Sequence, residues 1–170
     1  MKFGLGLYIL HLIVDSREQA PYTFSGDKYP DLSVETGTLQ TGDYSLSGLT
    51  DMVAIERKSL DDLAGSLTTG RERFKRELAR SKGLDFFSLV IEADMDQVAR
   101  HEYRSQMKPK ALIQSLFAFQ VRYDLNVIWA GSRERGEYAT YSLLQKYAAE
   151  QEKRLKTVMK AMSVNEKTVL

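Results

Sequence analysis

The sequence predicts an α/β fold in which a central mixed β-sheet is flanked by helices. Two observations support this prediction: several apolar runs have the length of buried strands, and segments with helical periodicity alternate with them in the second half of the chain. Short extended segments precede that alternation. This order of elements is typical of mixed sheets covered by helices. The 170 residues are enough for one domain with its own core.

The first predicted strand is a buried one that runs from about Leu7 to Val14. The surrounding segment, Phe3–Val14, carries no Asp, Glu, Lys or Arg. It is shorter than the ~20 residues that cross a bilayer, and no small-x-small cleavage site follows it, so a strand is favoured over a membrane span or a signal peptide. Pro21 and Pro30 mark the loop that comes next. The further predicted strands are Ser33–Leu39, Tyr44–Leu46, Met52–Glu56, Phe86–Glu92 and Leu125–Ala130.

Helix signals begin directly after the strand that ends near Glu56. Ser59 is a good N-cap, with Asp62 as its capping-box partner three residues on, so a short helix is predicted from there to about Leu67. Thr68-Thr69-Gly70 separates this helix from the next one. The other predicted helices are Arg71–Lys82 with Gly83 as its stop, Asp94–Arg100, Lys108–Tyr123 and Glu134–Met162.

Composition excludes several kinds of functional site. The chain has no cysteine and two histidines, which excludes disulfides, thiol nucleophiles and zinc–thiolate sites and disfavours a multi-histidine metal site. A metal site would have to be built from carboxylates, which favours hard ions such as Mg²⁺ or Mn²⁺. The net charge of +1 does not by itself indicate a nucleic-acid partner. We expect a cytoplasmic protein with no membrane partner.

A carboxylate pair and a lysine lie on two neighbouring predicted strands. Asp43 begins the strand Tyr44–Leu46, and a turn near Ser47-Gly48 would bring it close to Glu56 on the following strand. Glu56 and Lys58 are two residues apart and point to the same face of a strand. Two carboxylates that hold a divalent ion and a lysine that stabilises charge on a phosphate are what phosphodiester hydrolysis needs. A solvated strand end is the alternative interpretation.

A second group of charged residues follows the most apolar predicted strand. Asp15-Ser16-Arg17-Glu18 stands at its end, where sheets of this class tend to place functional sites. Asp15 and Glu18 could join the same acidic cluster, which a cation would then have to neutralise. A polar loop cap after a buried strand remains the alternative.

Taken in order, these motifs resemble the nuclease domain of the XPF family of structure-specific DNA endonucleases. The matching segments are Asp15, Arg17 and Glu18, then Gly42-Asp43, then Glu56-Arg57-Lys58 with Asp62. The likeness continues through Asp62–Leu67 and Gly70-Arg71 to Leu89–Glu92 and covers roughly residues 11 to 130. It implies a restriction-endonuclease-like fold. It also implies an enzyme that cuts branched or flapped DNA with Mg²⁺ or Mn²⁺.

The resemblance also implies roles for individual residues. Asp43 and Glu56 would bind the metal, with Asp15 as a further candidate ligand, and Lys58 would be the catalytic lysine. Glu18 would complete the acidic site, and Arg57 would contact phosphate or order the site. The role of Asp62 stays open, because capping of its helix already explains it.

The predicted helix Arg71–Lys82 is the strongest candidate for a DNA-binding surface. It holds six cations and two anions, a local charge of +4. The candidate nucleic-acid contacts are Arg17, Arg71, Arg73, Arg76 and Arg80. A merely solvated charged helix is the alternative.

We expect one nuclease domain over residues 1–170, with a core at about 7–130, a helical part at about 134–162 and no tandem helix-hairpin-helix domain. Apolar stripes on Lys108–Tyr123 and Tyr141–Met162 indicate core or a dimer face, and the resemblance implies dimers, so we expect a homodimer. The preferred function is a metal-dependent DNA endonuclease. The alternatives are a non-catalytic DNA-binding or subunit-interaction module and a nuclease that acts on linear DNA.

Overall fold

A computed structural model describes the backbone of residues 8–166 and the side chains as far as Met162. Leu7, the predicted first residue of the first strand, lies outside this range. The strands are β1 Leu10–Asp15, β2 Leu32–Gly37, β3 Tyr44–Leu46, β4 Val53–Lys58, β5 Phe86–Ile91 and β6 Asn126–Trp129. The helices are α1 Leu60–Leu67, α2 Arg71–Ser81, α3 Met95–Ala99, α4 Pro109–Tyr123 and α5 Arg133–Glu166.

The six strands form one mixed sheet in the order β2-β1-β3-β4-β5-β6. β1 is parallel to β2 and antiparallel to β3, and β3 is antiparallel to β4. β5 is parallel to both β4 and β6. The predicted α/β architecture with a central mixed sheet is thereby confirmed.

Each face of the sheet carries its own hydrophobic core. On one face Ala54, Leu89 and Ile91 pack with apolar residues of α1, α2 and α4. On the other face Val53, Ile55 and Val90 pack with Tyr22 and with apolar residues of α5. Successive side chains along β4 therefore point to opposite faces of the sheet. Glu56 and Lys58 point toward α1 and α2, and Arg57 points toward α5.

β4 extends two residues beyond the predicted end at Glu56. Arg57 and Lys58 remain in the sheet because β4 pairs with β5 in parallel through Lys58 opposite Ile91. All six residues of β4 are buried. Helix α1 then starts as predicted, since the Ser59 side chain accepts a hydrogen bond from the Asp62 backbone N–H.

Helix α5 has a packed first half and an exposed second half. Tyr141 and Leu144 are buried against the sheet, whereas Val158 and Met162 are more than half exposed. The predicted stripe on this helix therefore belongs to the core only over its first part. No helix in the described part of the chain is long and apolar enough to span a membrane.

Candidate active site

Asp43 reaches the site because the preceding residue is a glycine. Gly42 has a φ of +80°, a conformation that L side chains rarely adopt. A Cβ there would lie 2.8 Å from Ala54 Cβ and 3.1 Å from the Ile55 carbonyl oxygen. The backbone N–H of Asp43 then donates to the Ile55 carbonyl at 2.8 Å. The Gly-Asp pair thus sets the start of β3 tightly against β4.

The Asp43 carboxylate is oriented by the backbone of β4. Its Oδ2 accepts a hydrogen bond from the Arg57 N–H at 2.7 Å. Burial, followed by the negative charge of nearby Glu56, raises the pKa of Asp43 above its usual range. A carboxyl group held in this way would release its proton more readily if a cation were bound beside it.

Glu56 and Lys58 form a buried ion pair on the same face of β4. Lys58 Nζ donates to Glu56 Oε1 at 2.6 Å and lies 4.9 Å from the centre of the Phe74 ring. Burial lowers the pKa of Lys58, but the charge and hydrogen bond of Glu56 outweigh it, and the pKa is raised overall. Lys58 is therefore held as an ammonium.

Glu77 on α2 is a further carboxylate of this face, and the sequence patterns did not identify it. Burial, followed by the negative charge of Glu56, raises the pKa of Glu77, so the two carboxylates lie near each other. In the sequence Glu77 stands three residues after Phe74, a buried core residue of α2, which indicates at most that it lies near the core. Its approach to Glu56 depends on tertiary packing.

Arg57 points away from these groups and lies between two carboxylates. Its Nη1 donates to Glu92 at 2.9 Å, and its Nη2 lies 3.4 Å from Glu18. Arg133, at the start of α5, also donates to Glu92, at 3.1 Å. Only 7% of the Arg57 side chain is exposed. The structure therefore favours the ordering role expected for Arg57 over a phosphate contact, and it adds Glu92 as the partner that sequence reasoning missed.

Asp15 uses both carboxylate oxygens within the protein. Oδ1 accepts from the backbone N–H and the Nε of Arg17, both at 2.8 Å, and Oδ2 accepts from the Leu39 N–H at 2.8 Å. The hydrogen bond from the Arg17 side chain holds the pKa of Asp15 down at about 2. Asp15 does not line the cleft described below, so its predicted role as a metal ligand stays a prediction, whereas its contacts are those of a residue that fixes Arg17.

A polar cleft of about 430 Å³ opens above Asp43, Glu56 and Lys58. Arg17 and Glu18 line one part of it, and the remaining lining residues are Gln19, Arg57, Asp61, Asp62, Gly65, Ser66, Thr69, Gly70 and Arg73. Asp62 thus lines the cleft while its Oδ2 accepts a hydrogen bond from the Ser59 hydroxyl. Among the described residues, no group of three His, Cys, Asp or Glu side chains is arranged to hold a metal ion.

The arginines of α2 fall into two groups. Arg73, Arg76 and Arg80 are exposed, and Arg73 lines the cleft. Arg71 is held inside the protein instead, with its guanidinium 4.8 Å from the centre of the Phe119 ring and hydrogen-bonded to Ser115 at 3.2 Å. Its predicted contact with nucleic acid is therefore the least supported of the four.

The solved structures that resemble this chain include the following two. One is described as XPF from Aeropyrum pernix, with a TM-score of 0.64, 22% identity and coverage of 81% of this chain and 61% of the other. The second, XPF from Aeropyrum pernix in complex with DNA, has a TM-score of 0.63, 22% identity and coverage of 84% and 66%. The chain thus spans less than two thirds of either relative. At this identity the likeness concerns the fold, and it confirms the expected restriction-endonuclease-like architecture.

The family comparison agrees with the motifs. No curated protein sequence matches the chain. The model of the ERCC4 domain matches residues 14–141, which include the Asp-x-Arg-Glu, Gly-Asp and Glu-Arg-Lys segments. That match covers most of the chain and confirms the resemblance to the XPF-type nuclease domain: the chain belongs to the ERCC4-domain family.

Proposed function

We propose that this chain is a metal-dependent DNA endonuclease that hydrolyses phosphodiester bonds in branched, flapped or forked DNA. The observation that carries the proposal is the convergence of Asp43, Glu56 and Lys58 on the floor of one polar cleft lined also by Arg17 and Arg73. The lining also includes Glu18, Asp61 and Asp62, so the cleft combines carboxylates that would bind a metal with cations that would bind phosphate, as a phosphate-cleaving site requires. Membership in the ERCC4-domain family supports the same reaction class.

The donor set fits Mg²⁺ or Mn²⁺. Both ions prefer oxygen ligands, and Mg²⁺ in particular is commonly held by one or two carboxylates together with water and substrate phosphates. Asp43 and Glu56 would supply those carboxylates, and their mutual repulsion in a buried position is what a cation would relieve. When bound, such an ion polarises the phosphate and lowers the pKa of a bound water.

The residues of the chain would divide the remaining tasks. Lys58, held as an ammonium by Glu56, would stabilise the negative charge that develops on the attacked phosphate. The backbone N–H of Arg57 orients Asp43, and the Arg57 guanidinium fixes the neighbouring loop through Glu18. Arg17 and Arg73, at the wall of the cleft, would bind flanking phosphates.

DNA would extend from the cleft along α2. Arg73, Arg76 and Arg80 are exposed on this helix, and one of the similar structures is described as a complex with DNA. Replacing the three arginines by alanine should weaken binding to all DNAs alike and lower the salt slope by roughly one unit per lost phosphate contact. Unchanged affinity at low salt would mean that this face is only solvated.

The decisive experiment incubates the protein with labelled flap, fork, Holliday-junction and linear DNAs in Mg²⁺, Mn²⁺ or EDTA. We expect cleavage in a divalent ion, none in EDTA, and faster cutting of the branched substrates. Equal cutting of linear DNA would favour the nuclease alternative without branch preference. Binding without cleavage in either ion would favour the non-catalytic DNA-binding module.

We also propose that the protein is a homodimer. The stripe on α4 does not supply the interface, because Leu112, Leu116 and Phe119 are buried in the core of one chain. The exposed half of α5 remains, where Leu155, Val158, Met159 and Met162 form an apolar face that a second copy could cover. Light scattering should give twice the chain mass of 19.4 kDa. Replacing Val158 and Met162 by glutamate should lower the measured mass to that of a single chain. A monomer at micromolar concentrations would reject the dimer.

A further inference from the structure

Arg104, between α3 and α4, is fixed at its backbone and yet presents its guanidinium to solvent. Asp61 Oδ1 accepts a hydrogen bond from the Arg104 N–H at 2.7 Å, and Asp61 Oδ2 lies 3.2 Å from the Arg104 Nε. The Arg104 side chain is nevertheless 93% exposed. Since Asp61 lines the cleft, these two contacts hold Arg104 beside it.

Arg17 has the same arrangement in a different part of the chain. Asp15 binds both the backbone N–H and the Nε of Arg17, and 69% of the Arg17 side chain is exposed. In both cases a carboxylate orients the arginine from one side while most of the side chain stays exposed; the Nη2 of Arg17 also donates to Asp15 Oδ2 at 2.9 Å and to the Leu39 carbonyl oxygen. The two arginines belong to segments that follow β1 and β5, the strands that flank β3 and β4 in the sheet.

The segment that carries Arg104 is stiffened by its own contacts. The rings of His101 and Tyr103 stack with their centres 4.3 Å apart, and His101 Nε2 lies 2.8 Å from the Ser105 carbonyl oxygen. The Tyr103 hydroxyl donates to the Met107 carbonyl at 2.6 Å. A cation on such a segment loses little conformational freedom when it binds an anion.

Stability alone does not account for this arrangement, because an ion pair as exposed as Arg104–Asp61 contributes little to folding. We propose that Arg104 is a phosphate-binding residue. It would contact the DNA backbone beside the cleft, on the opposite side of Asp43 and Glu56 from Arg17. This inference rests on the proposed function and specifies it further: the DNA strand would be held on both sides of the carboxylates.

The test measures equilibrium binding of a fluorescently labelled DNA fork in EDTA over a range of salt concentrations. Arg104→Ala should weaken binding about fivefold and lower the slope of log K against log salt by about 0.9, the value for one phosphate contact. Arg104→Lys keeps the charge and should restore most of the slope. In the double variant Arg104→Ala with Arg17→Ala, the slope should fall by about twice as much as in Arg104→Ala alone.

The matched control is Arg100→Ala on the same segment. Arg100 is exposed and paired with Glu102 at 2.6 Å, whereas Arg104 is held by Asp61, a residue that lines the cleft. This variant should bind like the wild type. An unchanged slope for Arg104→Ala, or an equal loss for Arg100→Ala, would overturn the inference while leaving the proposed nuclease intact. Absence of any DNA binding by the wild type would overturn both.

Discussion

The two faces of β4 carry charged residues in opposite electrostatic situations. On the face toward α2, the carboxylates of Asp43, Glu56 and Glu77 have the Lys58 ammonium as their close cation. On the face toward α5, the Arg57 guanidinium is paired with Glu18 and Glu92, and Arg133 adds a second positive charge to Glu92.

The difference separates a binding surface from a structural one. With all groups ionised, three carboxylates share the Lys58 ammonium and smaller electrostatic contributions from Arg17 and Arg80, whereas on the other face two carboxylates meet two guanidinium groups. Buried charges that are not compensated are costly, and the raised pKa of Asp43 and of Glu77 reflects that cost. Under the proposed function the first face is the one that would receive a cation, whereas the charges of the second are paired with one another.

The largest expected effect is on catalysis, from changes to the uncompensated face. Asp43→Asn removes one carboxylate charge with little change in shape, and Lys58→Met removes the ammonium and keeps the apolar stem. Each should lower the single-turnover cleavage rate by roughly 10²–10³-fold or more, because each acts on the transition state. DNA affinity should persist in Lys58→Met and persist or rise in Asp43→Asn. A folded variant that binds normally and cuts at the wild-type rate would remove that residue from the proposed site.

The next effect is on stability, from the compensated face. Glu92→Gln removes the negative charge that lies 2.9 Å from the buried Arg57 and leaves Glu18, at 3.4 Å, as its ionised partner, so the free energy of unfolding should fall by about 2–3 kcal/mol in urea titrations. The exposed pair Lys75–Glu72 provides the control, since Glu72→Gln should leave the free energy of unfolding close to that of the wild type. Equal losses in the two variants would show that the Arg57 pair is no more important than a surface pair.

A smaller effect is expected from divalent ions on the folded protein. Mn²⁺ at ten times its dissociation constant should stabilise the wild type by about 1.4 kcal/mol, seen as a rise in Tm that EDTA reverses. Asp43→Asn should not respond, while Glu92→Gln, which alters the other face, should respond like the wild type. Loss of the response in Glu92→Gln would mean that the two faces are not independent.

The smallest effect concerns the Asp15–Arg17 pair, in which one partner is exposed. The pKa of Asp15 is lowered from 3.8 to about 2, so the native state holds the deprotonated form more strongly than the unfolded chain does. The stabilisation is present above pH 3.8 and is lost as the pH falls toward 2. Because Arg17 is mostly exposed, we expect roughly 1 kcal/mol, and Arg17→Met should reduce the acid dependence of unfolding by that amount. If the free energy of unfolding of Arg17→Met falls with decreasing pH as much as that of the wild type, this ion pair does not stabilise the fold.

Local patterns predicted the separation of the two faces, but not the residues that complete them. The period of two along β4 places Glu56 and Lys58 opposite Arg57, and the cap at Ser59 depends on neighbours in sequence. Glu77 and Glu92 reach the site from other elements, so only tertiary packing brings them there. Arg71 shows the same limit, because the packing of α2 against α4 decides that its guanidinium stacks on Phe119.

The hydrogen bond from the Arg57 backbone to Asp43 means that position 57 acts through two separate parts of one residue. Replacement of its side chain changes the contacts with Glu18 and Glu92 and leaves the main-chain donor in place. An alanine scan of β4 would therefore report only the contribution of the Arg57 side chain. Substitution of the amide at this position by an ester, which exchanges the N–H for an oxygen and keeps the arginine, would isolate what the backbone contributes to the orientation of Asp43.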